Sequence, residues 1–276
     1  MLLMRLCLVI CLVVPIATGC GAPGRQLRVS TTTSVDNSGL LEAILPPLRS
    51  ETGIDVQVLA VGSGRALQLL QRGDADVALT HDPIAETAML NVQSAAVYRK
   101  IMFNDFVVVG PPTDDARVKQ ATGVTDAMRR IATSTASFAS RGDDSGTSAR
   151  ERQLWQQAGT RPSADRILET GQGMSATLRV ASERQAYTLT DRATYMQLVP
   201  VLKLQVLFEH DPNLLNTYAV SLLRGSRRER DAMQFVTWIS DGNGRARIAS
   251  FTIAGVAPFF VWPPARPRDT PTAFPQ

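Results

Sequence analysis

The chain has 276 residues, 44% of them hydrophobic and 20% charged, with a formal net charge of +4. That apolar content excludes a disordered chain, and the length suits two lobes of ordinary size, each with its own core. Lys and Arg number 29 against 25 Asp and Glu, they are scattered, and aromatics make up only 6%, so the composition offers no ground for a nucleic-acid partner.

Residues 1–19 read as a targeting segment. Arg5 supplies a positive start, Leu6 to Ile16 an apolar run, and Ala17-Thr18-Gly19 the small residues ahead of Cys20. The run is too short for a permanent membrane-spanning helix. Ala17-Thr18-Gly19-Cys20 resembles a bacterial lipobox, with Ala17 where Leu is more usual. That resemblance makes Cys20 the lipidated first residue of the mature chain; ordinary cleavage to a free periplasmic protein is the alternative. Cys7 and Cys11 lie in the removed part, so no disulfide is expected and packing must hold the exported domain together.

A Gly/Pro-containing tether over residues 20–26 leads to the first periodic unit. Leu27 to Thr32 has strand character and ends in four hydroxyls, Thr31-Thr32-Thr33-Ser34. A helix is expected from near Ser38, with Leu40, Leu41, Ile44, Leu45 and Leu48 on one face and Pro46-Pro47 bending or breaking it. Ile54 to Val61 is the next strand. Such a βαβ unit builds a parallel sheet whose ligands sit beyond the carboxyl ends of the strands. Gly62-Ser63-Gly64 then opens a helix from Ala66 to Arg72, closed by Gly73. Glycines flanking Ser63 permit close approach of a ligand to a helix N-terminus.

Asp76 to Thr80 reads as a buried strand ending at Thr80-His81-Asp82-Pro83, and Phe103 to Gly110 as an apolar strand that leaves the first lobe at Pro111-Pro112. Helices are expected around Val124 to Ala132 and over Thr147 to Gln157. Gly171-Gln172-Gly173-Met174 opens another, and Tyr187 to Arg192 is a strand ending in polar groups. Arg227 to Ile239 and Arg245 to Phe251 read as surface helices. Pro263 to Gln276 is Pro-rich and expected to be disordered.

Ser140-Arg141-Gly142-Asp143-Asp144-Ser145-Gly146-Thr147 places an arginine and a small polar turn at a helix start. Backbone N–H groups, hydroxyls and the positive end of a helix dipole converge there, which makes either an anion socket or an ordinary capped loop.

Thr31 to Ser34 with Asn37-Ser38-Gly39-Leu40-Leu41, Gly62 to Leu67, Asn104 to Pro111, Ser140 to Thr147, Glu169 to Met174 and Tyr187 to Arg192 occur in order. Together they resemble the tungstate-binding component of a bacterial ABC uptake system, over about Val29 to Pro258. The resemblance implies an α/β, two-lobed periplasmic type II solute-binding fold, with residues 27–107 and 217–262 in lobe 1 and 108–216 in lobe 2. Phe103 to Gly110 and Thr217 to Leu223 would be the two crossing strands. It implies oxyanion contacts from Thr32, Thr33, Ser34, Ser63, Arg141, Ser145, Gly146 and Thr147, with Thr190 a weaker candidate, and an ABC permease and ATPase as partners. Ser148 stands where the family often has His, and Thr217 and Ala219 replace a more usual Pro and Gly.

Selection can be argued from chemistry alone. Tungstate, molybdate and sulfate carry no proton at neutral pH and only accept hydrogen bonds, so their best site consists of donors; phosphate keeps a proton that a carboxylate can read. Asp82, at a strand end, is either such an acceptor or an ordinary turn aspartate before Pro83. Arg141 is expected to be the one full positive charge in a ring of neutral donors. Molybdate or phosphate binding by the same fold is the alternative, and the expected protein is no enzyme and needs no cofactor. A serine hydrolase built on Ser145 would require a histidine base with an orienting acid, and neither His81 nor His210 lies in a recognisable triad setting. Two histidines and no paired cysteines argue against a structural zinc site.

Overall fold

The computed structural model describes residues 25–92, 96–143 and 145–271; the targeting segment and Cys20 lie outside them. β1 spans Arg25–Thr32, so Arg25 and Gln26, assigned above to the tether, are already strand. α1 (Thr33–Asn37) follows directly, and Gly39, at φ 77°, turns the chain into α2 (Leu40–Thr52). A left-handed residue between two helices costs glycine least, because it has no Cβ to clash. The expected break at Pro46-Pro47 does not occur, and α2 runs through both prolines. The carbonyls that lose their donors belong to Glu42 and Ala43, both exposed residues, where solvent can satisfy the missing bonds. Leu40, Leu41, Ile44 and Leu48 are buried, as their spacing predicts.

β2 (Ile54–Val61), α3 (Ser63–Arg72), β3 (Val77–Thr80) and α4 (Pro83–Val92) complete the first run. β1 pairs in parallel with β2 and with β3, in a register that sets Thr32 beside Val61 and Thr31 beside Leu79. The turns after all three strands therefore open at one edge of the sheet.

β4 (Ala96–Gly110) starts well before the expected Phe103. The second lobe then brings α5 (Val124–Thr133), β5 (Phe138–Ser140), α6 (Gly146–Ala158), β6 (Ile167–Glu169), α7 (Met174–Arg184), β7 (Thr188–Asp191), α8 (Arg192–Leu198) and β8 (Gln205–Phe208). β9 (Leu215–Leu223) returns to the first lobe, which α9 (Glu229–Ser240), α10 (Asn243–Ser250) and β10 (Phe260–Val261) complete.

The strand order β10-β4-β9-β3-β1-β2 forms the first lobe's sheet. The far half of β4 pairs antiparallel with β7 and β8, so one strand belongs to both lobes. β9 runs antiparallel to β4 from Ala96↔Leu223 to Asp105↔Leu215. The boundaries expected at 107/108 and 216/217 fall within this crossing pair. Each lobe has its own apolar core, one around Leu27, Ile44, Val77, Tyr218 and Phe235, the others around Phe106, Phe138, Leu154 and Met174. The result is the α/β, two-lobed solute-binding architecture with two crossing strands.

Two expectations need correction. Tyr187 to Arg192 is not all strand, because Asp191 caps α8 and Arg192 begins it. Nor is the tail free throughout. Lys100 N donates to the Arg268 carbonyl at 2.8 Å, Arg268 pairs with Asp241 at 2.5 Å, and Arg99 lies 3.4 Å from Asp269. Composition pointed to disorder, but Arg268 and Asp269 tie this stretch to β4, and its prolines, having no N–H, leave fewer backbone donors in want of a partner.

Candidate functional site

The hydroxyls after β1 do different jobs. Thr31 Oγ1 donates to the Leu79 carbonyl at 3.1 Å and so ties β1 to β3. Thr32 caps α1, its Oγ1 accepting from Val35 N at 3.3 Å. Thr33 is half-buried, and its Oγ1 lies 3.5 Å from where a Cβ on Gly173 would stand. Ser34 is buried, and its Oγ has no hydrogen-bond partner. Ser63, the first residue of α3, is fully buried and accepts only a long 3.5 Å contact from His81 N.

On the second lobe β5 delivers Arg141, whose side chain is only 4% exposed. One terminal nitrogen donates to Asp143 Oδ2 at 2.5 Å, while Nε has no partner. Asp143 also accepts from Ser145 Oγ at 2.5 Å, and Ser145 Oγ accepts in turn from Ser148 N at 3.1 Å as the cap of α6. Thr147, in the first turn of that helix, is buried, and its Oγ1 is unpartnered. Thr190 is buried too, but its hydroxyl donates to the Asp191 carbonyl at 3.1 Å.

Buried polar atoms without partners are rare, and each costs about 1–3 kcal/mol. Eight such side-chain atoms occur among the described residues, and Ser34 Oγ, Arg141 Nε and Thr147 Oγ1 are three of them. They come from two segments, the turn after β1 on the first lobe and the 140–147 turn on the second. Two links bring these loops together.

The first link is Asp191. Its carboxylate is fully buried and accepts from Thr194 N at 2.9 Å and from Thr194 Oγ1 at 2.7 Å. Burial raises its pKa, opposed by those two bonds, by the nearby Ser34 hydroxyl and by the Arg141 charge. Ser34 and Arg141 therefore face one carboxylate from opposite lobes, with Ser34 Oγ short of hydrogen-bonding geometry. The capping pattern Asp191-Arg192-Ala193-Thr194 was the sequence signal for this residue, which reading the segment as strand concealed.

The second link is His81. Its Nδ1 lies 2.9 Å from Asn216 Oδ1, and Asn216 Nδ2 donates to Asn104 Oδ1 and to Tyr218 Oη, both at 2.8 Å. With its amide nitrogen so used, Asn216 accepts through Oδ1, which assigns the proton to His81 Nδ1. Burial, with the Arg141 and Arg150 charges, pushes the His81 pKa down to about 4, so the ring is neutral at pH 7. The network joins both crossing strands to the cleft. Arg150, which sequence reading missed, is a second buried cation beside it and donates to the Leu215 carbonyl at 3.3 Å. Its guanidinium is directed to Gln153 and the Leu215 carbonyl, beside His81.

The lobes touch. A Cβ on Gly146 would stand 2.7 Å from the His81 carbonyl oxygen. Asn37 Nδ2 donates to Ser175 Oγ at 3.3 Å, and Gln197 Nε2 donates to the Ser38 carbonyl at 2.8 Å. This is a shut cleft.

Two open residues now have roles. Asp82 accepts from Ile84 N and Ala85 N at 3.2 and 3.1 Å and so caps α4. Ser148 Oγ accepts from Arg152 at 3.1 Å, a contact within its own helix. The Ser145 hydroxyl is bonded to Asp143 and Ser148, not to a histidine. Among the described residues, metal-ligating side chains cluster at Asp105, Glu209 and His210. Arg192 already supplies the positive charge there, within 2.6 Å of both acids.

A family model for the PBP superfamily domain matches residues 18–242. The chain is 37% identical to the tungstate-binding protein TupA of Peptoclostridium acidaminophilum, over 82% of this chain and 81% of the relative. It is similar to the crystal structure of the tungstate ABC transporter from Geobacter sulfurreducens, with a TM-score of 0.74 and 36% identity over 82% of this chain and 98% of the other. It is also similar to the tungstate-binding protein TupA from Desulfovibrio alaskensis G20, with a TM-score of 0.73 and 35% identity over 86% and 98% of the two chains.

Proposed function

The chain belongs to the PBP superfamily and, within it, to the family of TupA tungstate-binding proteins, and from that membership we propose that it captures tungstate in the shut cleft and hands it to an ABC permease. The observation that carries the reading is the set of three unpartnered buried groups, Ser34 Oγ, Arg141 Nε and Thr147 Oγ1. A proton-free dianion accepts from all three. Ser63, the N–H groups opening α6 at Gly146 and Thr147, and the hydroxyls of Thr32 and Thr33 complete the donors, while Ser145 and Thr190 line the site with their hydroxyl protons given to Asp143 and to the Asp191 carbonyl.

Closure follows from the division of donors between lobes. Each hydrogen bond to the charged ion contributes about 1.5–3 kcal/mol, and only the shut form makes all of them together. A proton-bearing anion such as phosphate needs an acceptor in the site. The carboxylates around the site are already engaged: Asp143 by Arg141 and Ser145, Asp191 by Thr194, and Asp82 as the cap of α4. That favours tungstate or molybdate over phosphate.

Nothing in this role requires a cofactor or a catalytic step. Among the described residues no helix is long and apolar enough to cross a membrane. The protein is read as periplasmic, held at the membrane by lipid on Cys20, with a permease and an ATPase as partners. Native mass spectrometry with tungstate, molybdate, sulfate and phosphate in competition tests the reading: one tungstate per chain, displaced by molybdate but not by phosphate, is expected. Retention of phosphate in preference to tungstate would overturn it.

A further inference from the structure

At the end of the first lobe remote from the cleft, a pocket of about 460 Å³ opens beside the start of β1. Arg28, Arg227 and Arg228 line it above an apolar floor of Leu70 and Leu223. Its one carboxylate, Asp76, is only 8% exposed at the side chain and is used twice over. It accepts from Arg28 N at 2.8 Å and lies 3.6 and 3.9 Å from the Arg28 and Arg228 guanidiniums. Arg227 is exposed and has no ion pair among the described residues. Ser226, also lining the pocket, keeps a buried Oγ with no partner. The surrounding segment Arg224-Gly225-Ser226-Arg227-Arg228-Glu229-Arg230 carries four arginines against one glutamate.

We propose that this face is a second, noncovalent membrane contact, in which the arginine pocket takes the phosphate headgroups of an anionic lipid surface. Charge complementarity is one argument: exposed guanidiniums and an unpartnered hydroxyl above apolar carbon suit a phosphodiester on a glycerol backbone. The other is where the chain leaves the fold. Arg25 opens β1 at this same end, and a fully extended link from Cys20 to Arg25 spans at most about 18 Å. A lipid on Cys20 therefore holds this face, and not the cleft, against the bilayer. The cleft lies at the other end of β1, about 25 Å away, on the side turned from the bilayer. The inference draws on the proposed anchor only for the direction in which the face points; its charge and shape stand without it.

Every described strand and helix lies within Arg25–Val261, so the chain from Gly21, which lacks the anchor, keeps the whole fold. Flotation of that chain with phosphatidylcholine vesicles, with and without phosphatidylglycerol, is the test. Binding is expected only with phosphatidylglycerol and only at low salt. Arg227→Glu alters no described contact and should lower the partition coefficient about fivefold or more, and Arg227→Glu with Arg228→Glu at least tenfold. Calorimetry on the same samples should show tungstate affinity unchanged, and loss of tungstate binding with vesicle binding intact would count against the cleft alone. Equal binding to both vesicle types, an unaffected Arg227→Glu variant, or displacement by millimolar inorganic phosphate would each overturn the membrane contact.

Discussion

Gly146, at the start of α6, lies so close to His81 that a Cβ on it would sit 2.7 Å from the His81 carbonyl oxygen and 2.9 Å from the ring. The two residues belong to different lobes, so the contact exists only while the cleft is shut. Gly146→Ala leaves each lobe's core untouched and opposes closure. Its tungstate affinity should fall at least tenfold, about 1.4 kcal/mol, with little change in the melting temperature of the unliganded protein. Calorimetry and thermal denaturation measure both quantities.

Thr147→Val replaces an unpartnered buried hydroxyl with a methyl group of the same shape. Unliganded stability should hold or rise by about 1 kcal/mol, because an unsatisfied group is removed, while tungstate affinity should drop about tenfold. Opposite signs on stability and binding mark a residue kept for its ligand. A loss of stability without loss of affinity would make Thr147 a packing residue.

Arg141→Ala should weaken tungstate binding at least tenfold, about 1.4 kcal/mol. Arg141→Lys keeps the charge but lacks the Nε donor and should recover only part of that loss. Calorimetry on folded variants decides, and an unchanged affinity in Arg141→Ala would remove Arg141 from the site.

Stability should depend on pH through two buried groups of opposite sense. Glu151 accepts from Ser140 Oγ at 2.9 Å and from Trp155 Nε1 at 3.2 Å, yet burial still pushes its pKa up to about 7. A raised carboxyl pKa contributes stability that is complete below about pH 4.5 and is lost as pH rises through 7, in all about 3 kcal/mol. His81, pushed down to about 4, contributes stability that is complete above about pH 6.5 and is lost as pH falls toward 4. Denaturant titrations of Glu151→Gln should therefore show a flatter profile between pH 6 and 8 than the parent. Parallel profiles would contradict a protonated Glu151.

Much of the fold is legible from local chemistry. Strand-end hydroxyls and the glycines around Ser63 stand at one edge of the sheet because parallel β1, β2 and β3 place their carboxyl ends together. What escapes sequence reading depends on distant partners. Pro46 and Pro47 stay helical because the carbonyls they deprive face water. Asp191 is a cap because Thr194 follows it, and its proximity to Ser34 and Arg141 depends on how two lobes meet. That Thr31 is spent on Leu79 while Ser34 is left unpartnered likewise depends on the register of β1 with β3.

The most direct test is a tungstate-soaked crystal measured at a tungsten absorption edge, where the metal announces its own position. One anomalous peak is predicted between the lobes, its oxygens within about 2.7–3.2 Å of Ser34 Oγ, Arg141 and Thr147 Oγ1. A peak elsewhere, or bound to one lobe alone in an open cleft, would contradict the account.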